Sequence, residues 1–114
     1  MGSEMCIRDS ITTVLQILFN RIDRGMTLPE ALAAPRASQR NTPDVTAEQA
    51  FIDAYGAQLG ALGHSFVVPG PPGSSASEIG AATGIEFRDG GQVIAVSEPV
   101  RRGGGSALVV RPGR

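Results

Sequence analysis

The clearest pattern in the chain begins at Ser10. Ile11, Val14, Leu15, Leu18 and Ile22 recur at i, i+3, i+4, i+7 and i+11, so they share one helical face. Ile17 and Phe19 widen that stripe, which predicts a helix buried on more than one side. Ser10 is placed to cap its first turn, and Gly25 stands where a glycine closes a helix. Met1–Asp9 has no comparable period. It is read as an atypical, artefactual leader ahead of a single domain over 10–114.

A second helix opens at Thr27-Leu28-Pro29-Glu30. Thr27 caps, Pro29 occupies the first turn where its missing N–H is harmless, and Glu30 completes a capping box. Pro35 pushes Ala34 out of helical geometry and keeps this helix short. Arg36–Asp44, with Asn41-Thr42-Pro43, reads as a loop. A third helix over Glu48–Leu62 aligns Phe51, Ile52, Tyr55, Leu59 and Leu62, although Gly56 and Gly60 each cost it about 1 kcal/mol relative to alanine.

Beyond Gly63-His64 the period changes. Ser65–Val68 predicts a short strand, and Pro69–Ser77 an irregular connection. Ile79–Phe87 and Gln92–Ser97 flank Asp89-Gly90-Gly91 and predict an antiparallel hairpin. Ala81, Thr83, Ile85 and Phe87 would share one face of its first strand, with Glu86 and Arg88 on the other. Ala107–Val110 reads as a last short strand. The fold class is α+β, with no internal repeat.

Composition narrows the function classes. A chain of 114 residues with 41% hydrophobic positions has room for one modest core, and 15 Gly plus 8 Pro leave much of it in turns. All ten basic residues are arginine, against 11 acidic ones, giving a net charge of -1. No polybasic footprint points to nucleic acid, and none points to anionic lipid. The Arg-, Ala- and Gly-rich, lysine-free usage matches GC-rich codons and predicts a bacterial source. One cysteine, Cys6, and one histidine, His64, exclude an internal disulfide and weaken any metal site or Ser/His triad. No apolar run reaches the roughly 18 residues that span a bilayer, so no membrane contact is evident. Met1–Ser10 lacks the apolar centre of an export signal.

Candidate chemistry is thin. Thr12 and Thr13 lie inside a helix, where neither can supply the free α-amine that an N-terminal nucleophile uses as base. His64 follows a helix end with no Gly-x-Ser-x-Gly motif beside it. Gly103-Gly104-Gly105-Ser106 has no phosphate-binding lysine and reads as a turn. Arg36, Arg101 and Arg102 flank turns, where their forks suit either loop carbonyls and acidic partners or a substrate carboxylate. From the residues alone, the chain is a small α+β domain with no catalytic set. A non-catalytic interaction module is one reading, and an intact hydrolase using Thr13 a more remote one.

Taken as a string, Ile11–Arg36 (ITTVLQILFNRIDRGMTLPEALAAPR) resembles the γ-glutamyltranspeptidase stretch that follows the family's Gly-Ser-x-Gly-Gly loop. Leu59–His64, Ile79–Ile85 and Ser97–Gly104 resemble its later helix end, closing hairpin and tail. The resemblance covers about Ser10–Pro112 and implies part of an N-terminal-nucleophile αββα sandwich. It implies an enzyme whose self-cleavage exposes a threonine. That hydroxyl attacks a γ-glutamyl amide, commonly of glutathione, and the γ-glutamyl group passes to water, an amino acid or a peptide, with no metal or other cofactor. The threonine, the residues that hold the glutamate and the glycine pair have no match here, where the pair's place is taken by Glu4–Asp9. No catalytic, cofactor-binding or metal-binding residue is therefore assigned, and Arg36, Arg101 and Arg102 carry over only as packing residues. The implied partners are the N-terminal part of the small subunit, the large subunit and a γ-glutamyl substrate. Family members are usually periplasmic or secreted. The expectation is a fragment, marginal or prone to aggregate because helix and strand faces lack their partners.

Overall fold

A computed structural model describes residues 2–102 and 105–111, the side chains of 2–9 and 75 excepted. Helix α1 runs Gly2–Leu18 and widens into a π turn at Phe19–Asp23; α2 spans Leu28–Ala33 and α3 Gln49–Ala61. Strands β1 (Ala37–Ser38), β2 (Val45–Ala47) and β3 (Phe66–Val67) form a small sheet in that order, β1 antiparallel and β3 parallel to β2. Strands β4 (Gly84–Phe87) and β5 (Val93–Val96) form a separate antiparallel hairpin.

The local signals in the middle of the chain hold. Thr27 accepts from the Glu30 N–H while the Glu30 carboxylate accepts from the Thr27 N–H, so the capping box of α2 is complete. Ala34, before Pro35, is extended at φ -57°, ψ 143° and ends the helix. Gly25 follows the π turn at φ +70°, in the left-handed region expected of a closing glycine.

Other expectations are corrected. Ser10 does not cap α1: the helix already runs from Gly2, so Ser10 lies inside it. The expected loop Arg36–Asp44 contributes β1, and Val45–Ala47 forms a strand the periodicity did not reveal. Ile79–Thr83 precedes the hairpin strand rather than belonging to it, and Ala107–Val110 carries no ladder.

The largest correction concerns which faces are buried. The core is small: Leu28, Ala31, Leu32, Ala47 and Ile79. Helix α1 turns polar residues inward, with Thr13 and Asn20 buried and Gln16 half-buried. Its apolar stripe faces out: Ile11, Val14, Leu15, Leu18, Phe19 and Ile22 are 50% to 71% exposed. The hairpin does the same. Glu86 turns inward to meet Arg21 at 2.5 Å, while Ile85, Phe87 and Val93 face outward. Helix α3 buries no residue fully, and its Phe51 rests on Tyr55 and Phe66 at ring separations of 5.0 and 6.2 Å.

Candidate functional site

The most completely buried polar feature joins four side chains from three separate stretches of chain. Arg36 follows α2, Glu48 precedes α3, and Glu98 and Arg101 follow β5. Arg36 is 1% exposed, and Arg101, Glu98 and Glu48 are buried with it. Two guanidinium groups face two carboxylates, so the cluster is neutral in sum.

Its hydrogen bonds are nearly complete. Arg101 donates from Nε to Glu48 Oε2 at 2.7 Å and from Nη2 to Glu48 Oε1 at 2.6 Å. Its remaining donors reach Leu32 O, Glu98 Oε2 and Ala34 O. Arg36 donates to Ile79 O, Gly80 O, Leu32 O and Glu98 Oε1, leaving Nε buried without a partner. The carboxylates also grip backbone: Glu48 accepts from the N–H of Arg36 and of Ile79, and Glu98 from those of Ala82, Val100 and Arg101.

The electrostatics follow from this geometry. Burial pushes the Glu98 carboxyl up, but Arg36, Arg101 and the N–H groups of Ala82 and Val100 outweigh it and hold the group below the usual carboxylate range. Burial and the neighbouring Arg101 charge lower Arg36, against the pull of Glu98 and Glu48. Burial also opposes the charge on Arg101, yet its bonds to Glu48 and Glu98 win and raise it.

This cluster is a clamp. Every N–H of Arg101 is engaged inside the protein, and on Arg36 only the enclosed Nε lacks a partner, so neither fork is open to a substrate carboxylate. Arg36 and Arg101 thus tie α2, α3 and the segment after β5 together. Arg102 stands apart at the surface, donating from its backbone N–H to Glu78 at 2.8 Å and from Nη2 to Gly73 O at 2.7 Å. Glu48 and Glu98 were not singled out in the sequence. The available signal was a carboxylate at the edge of an apolar stretch, one after Ala47 and one before Pro99.

The clamp fixes the wall of a cavity of about 490 Å³ between α1 and Gly80–Thr83, lined also by Ser10, Thr13 and Val14. Thr13 lies under Gly80, whose φ of +66° brings its backbone so close that an added Cβ would stand 2.7 Å from Thr13 Oγ1. That hydroxyl is buried with no hydrogen-bond partner. It is mid-helix and has no α-amine beside it, so it is no N-terminal nucleophile. Thr12 Oγ1 donates to Ser38 Oγ at 3.1 Å, tying α1 to β1. His64 is exposed, and its N–H closes α3 on Leu59 O. Gly103 and Gly104 lie outside the described residues; Gly105 and Ser106 are irregular, and among the described residues no helix follows them. Among the described residues no three His, Cys, Asp or Glu side chains gather as metal ligands, and no helix is long and apolar enough to cross a membrane.

The family model for gamma-glutamyltranspeptidase matches residues 4–108. The chain belongs to the gamma-glutamyltranspeptidase family. Solved gamma-glutamyltranspeptidases carry the same mixed helix-and-sheet architecture. A highly active mutant of the Pseudomonas nitroreducens enzyme superposes with a TM-score of 0.72 at 24% identity, over 90% of this chain and 50% of that one. A Helicobacter pylori gamma-glutamyltranspeptidase mutant gives 0.57 at 27% identity, over 78% and 47%. An acivicin-inhibited gamma-glutamyltranspeptidase gives 0.59 at 26% identity, over 81% and 48%. The chain thus spans about half the length of the gamma-glutamyltranspeptidase chains it matches. A search of curated proteins finds no significant match.

Proposed function

We propose that this chain is the C-terminal portion of a γ-glutamyltransferase or glutathione hydrolase small subunit, and that its catalytic threonine lies in sequence outside it. In the complete enzyme that threonine would attack a γ-glutamyl amide, with its own α-amine as base and backbone N–H groups taking the oxyanion charge. The γ-glutamyl group would then pass to water or to the amine of an amino acid or peptide. The present residues would supply a scaffold, with α1 and the clamped Ile79–Ala82 segment held in fixed relation beneath the missing half. The rest of the small subunit and the large subunit are the proposed partners.

One observation carries this reading. The apolar stripe of α1 and the apolar face of the β4–β5 hairpin are both bare, on a chain spanning half the length of its structural relatives. A protein that turns Thr13 and Asn20 inward and Leu15 and Phe87 outward is built to be covered. The purified chain is expected to bind a hydrophobic dye such as ANS strongly and to release no aniline from a γ-glutamyl anilide. Turnover above the blank would overturn the reading.

A further inference from the structure

The β4–β5 hairpin has an open edge, and a strand-like segment lies beside it. Arg88 N–H donates to Gln92 O at 2.8 Å, which makes Arg88 and Gln92 a hydrogen-bonded pair. Alternation along the ladder then makes Glu86↔Ile94 and Gly84↔Val96 bonded pairs as well. The N–H groups of Val93 and Ala95 consequently point away from β4, toward the free edge of a sheet that has two strands among the described residues.

Ala107-Leu108-Val109-Val110 runs past that edge. One cavity, of about 390 Å³, brings Ser106, Ala107, Leu108 and Val110 near Gly84, Ala95 and Val96. Another, of about 280 Å³, brings all four residues of Ala107–Val110 near Val93 and Ala95. The segment therefore lies alongside β5. It has the composition of a strand, yet it makes no ladder, and Leu108, Val109 and Val110 are 70% to 82% exposed. Upstream the chain is anchored by Arg101 in the clamp and by Arg102 on Glu78 and Gly73.

We propose that Ala107–Val110 is a closing strand for β5: a strap that zips onto its free edge, takes up the N–H groups of Val93 and Ala95, and blocks that edge against other chains. An uncovered edge of this kind is a template for intermolecular pairing, and a short tethered strand is one of the simplest covers. The inference concerns the fold of this chain and does not depend on the proposed enzyme.

Residue-resolved amide hydrogen exchange on the full chain tests it. Val93 and Ala95 should be protected to a similar degree as Ile94 and Val96, independently of protein concentration. Val109→Pro, or truncation after Gly105, should speed exchange at Val93 and Ala95 by at least about tenfold, with little change at Ile94 and Val96. Three results would overturn the proposal: unprotected Val93 and Ala95 in the full chain, with or without protection at Ile94 and Val96; protection that survives both variants; and protection that grows with concentration, which would assign the edge to a second copy.

Discussion

Arg101 grips Glu48 with two nitrogens, Nε on Oε2 at 2.7 Å and Nη2 on Oε1 at 2.6 Å, across 53 positions of sequence. With Arg36 and Glu98 this pair ties the start of α3 to the segment after β5, where few backbone hydrogen bonds connect the two regions. Removing one partner leaves a buried charge uncompensated, which typically costs about 3–5 kcal/mol. Arg101→Ala should therefore abolish cooperative melting of the chain, whereas Arg102→Ala, at the surface, should change stability by no more than about 0.5 kcal/mol. Denaturant titration of the two variants checks this; equal effects would contradict it.

The clamp also sets a pH dependence. The folded-state carboxyl of Glu98 sits below its ordinary value, so the stability it contributes is present above the unfolded carboxylate range and is lost as pH falls through the folded value. The melting temperature should be flat from neutral pH to about 5 and then fall with further acid. Glu86 is likewise lowered, first by its hydrogen bond from Arg21, but that pair is partly exposed and salt should weaken it. Thermal melts across pH at low and high salt should show an acid loss that persists in salt, and Glu98→Gln should make it shallower.

Thr13 and Gly80 give a test of close packing. Gly80→Ala must accept both a positive φ and a Cβ 2.7 Å from Thr13 Oγ1, a strain of about 1–3 kcal/mol. Thr13→Val removes a buried hydroxyl without a partner and should be neutral or stabilising by up to about 1 kcal/mol. Combining Thr13→Ala with Gly80→Ala should recover part of the alanine's cost, since the contact goes and the backbone strain stays. A double-mutant cycle by chemical denaturation reads the coupling, and strict additivity would contradict the contact.

The outward stripe of α1 predicts unusual tolerance. Leu15→Glu should leave the melting temperature within a few degrees and reduce self-association, because Leu15 is 66% exposed. Light scattering alongside a thermal melt measures both. A large loss of stability would mean that the stripe is covered within the chain itself.

Much of the local structure was legible because its signals are short-range. The capping box at Thr27 and Glu30, the stop before Pro35 and the hairpin around Asp89-Gly90-Gly91 each depend on a few adjacent residues. Burial was not legible in the same way. Periodicity correctly placed Ile11, Val14, Leu15, Leu18 and Ile22 on one face, but it says only that the face is apolar, not that this chain contains what covers it. Val45–Ala47 was missed because three residues cannot display a period, and its strand exists through pairing with Ala37–Ser38 and Phe66–Val67. The clamp was half visible: arginines at turns stood out, while Glu48 and Glu98 looked like ordinary ends of elements until tertiary contact joined them.

On the proposed function these residues are one part of a larger γ-glutamyl-transferring enzyme, which sequencing the source DNA upstream of the Ser10 codon tests. The expected result is an open reading frame that carries a glycine pair just before this point and a threonine cleavage site further upstream. An in-frame stop immediately before a genuine Met1 start would contradict it and leave a catalytically empty protein whose exposed faces serve some other association.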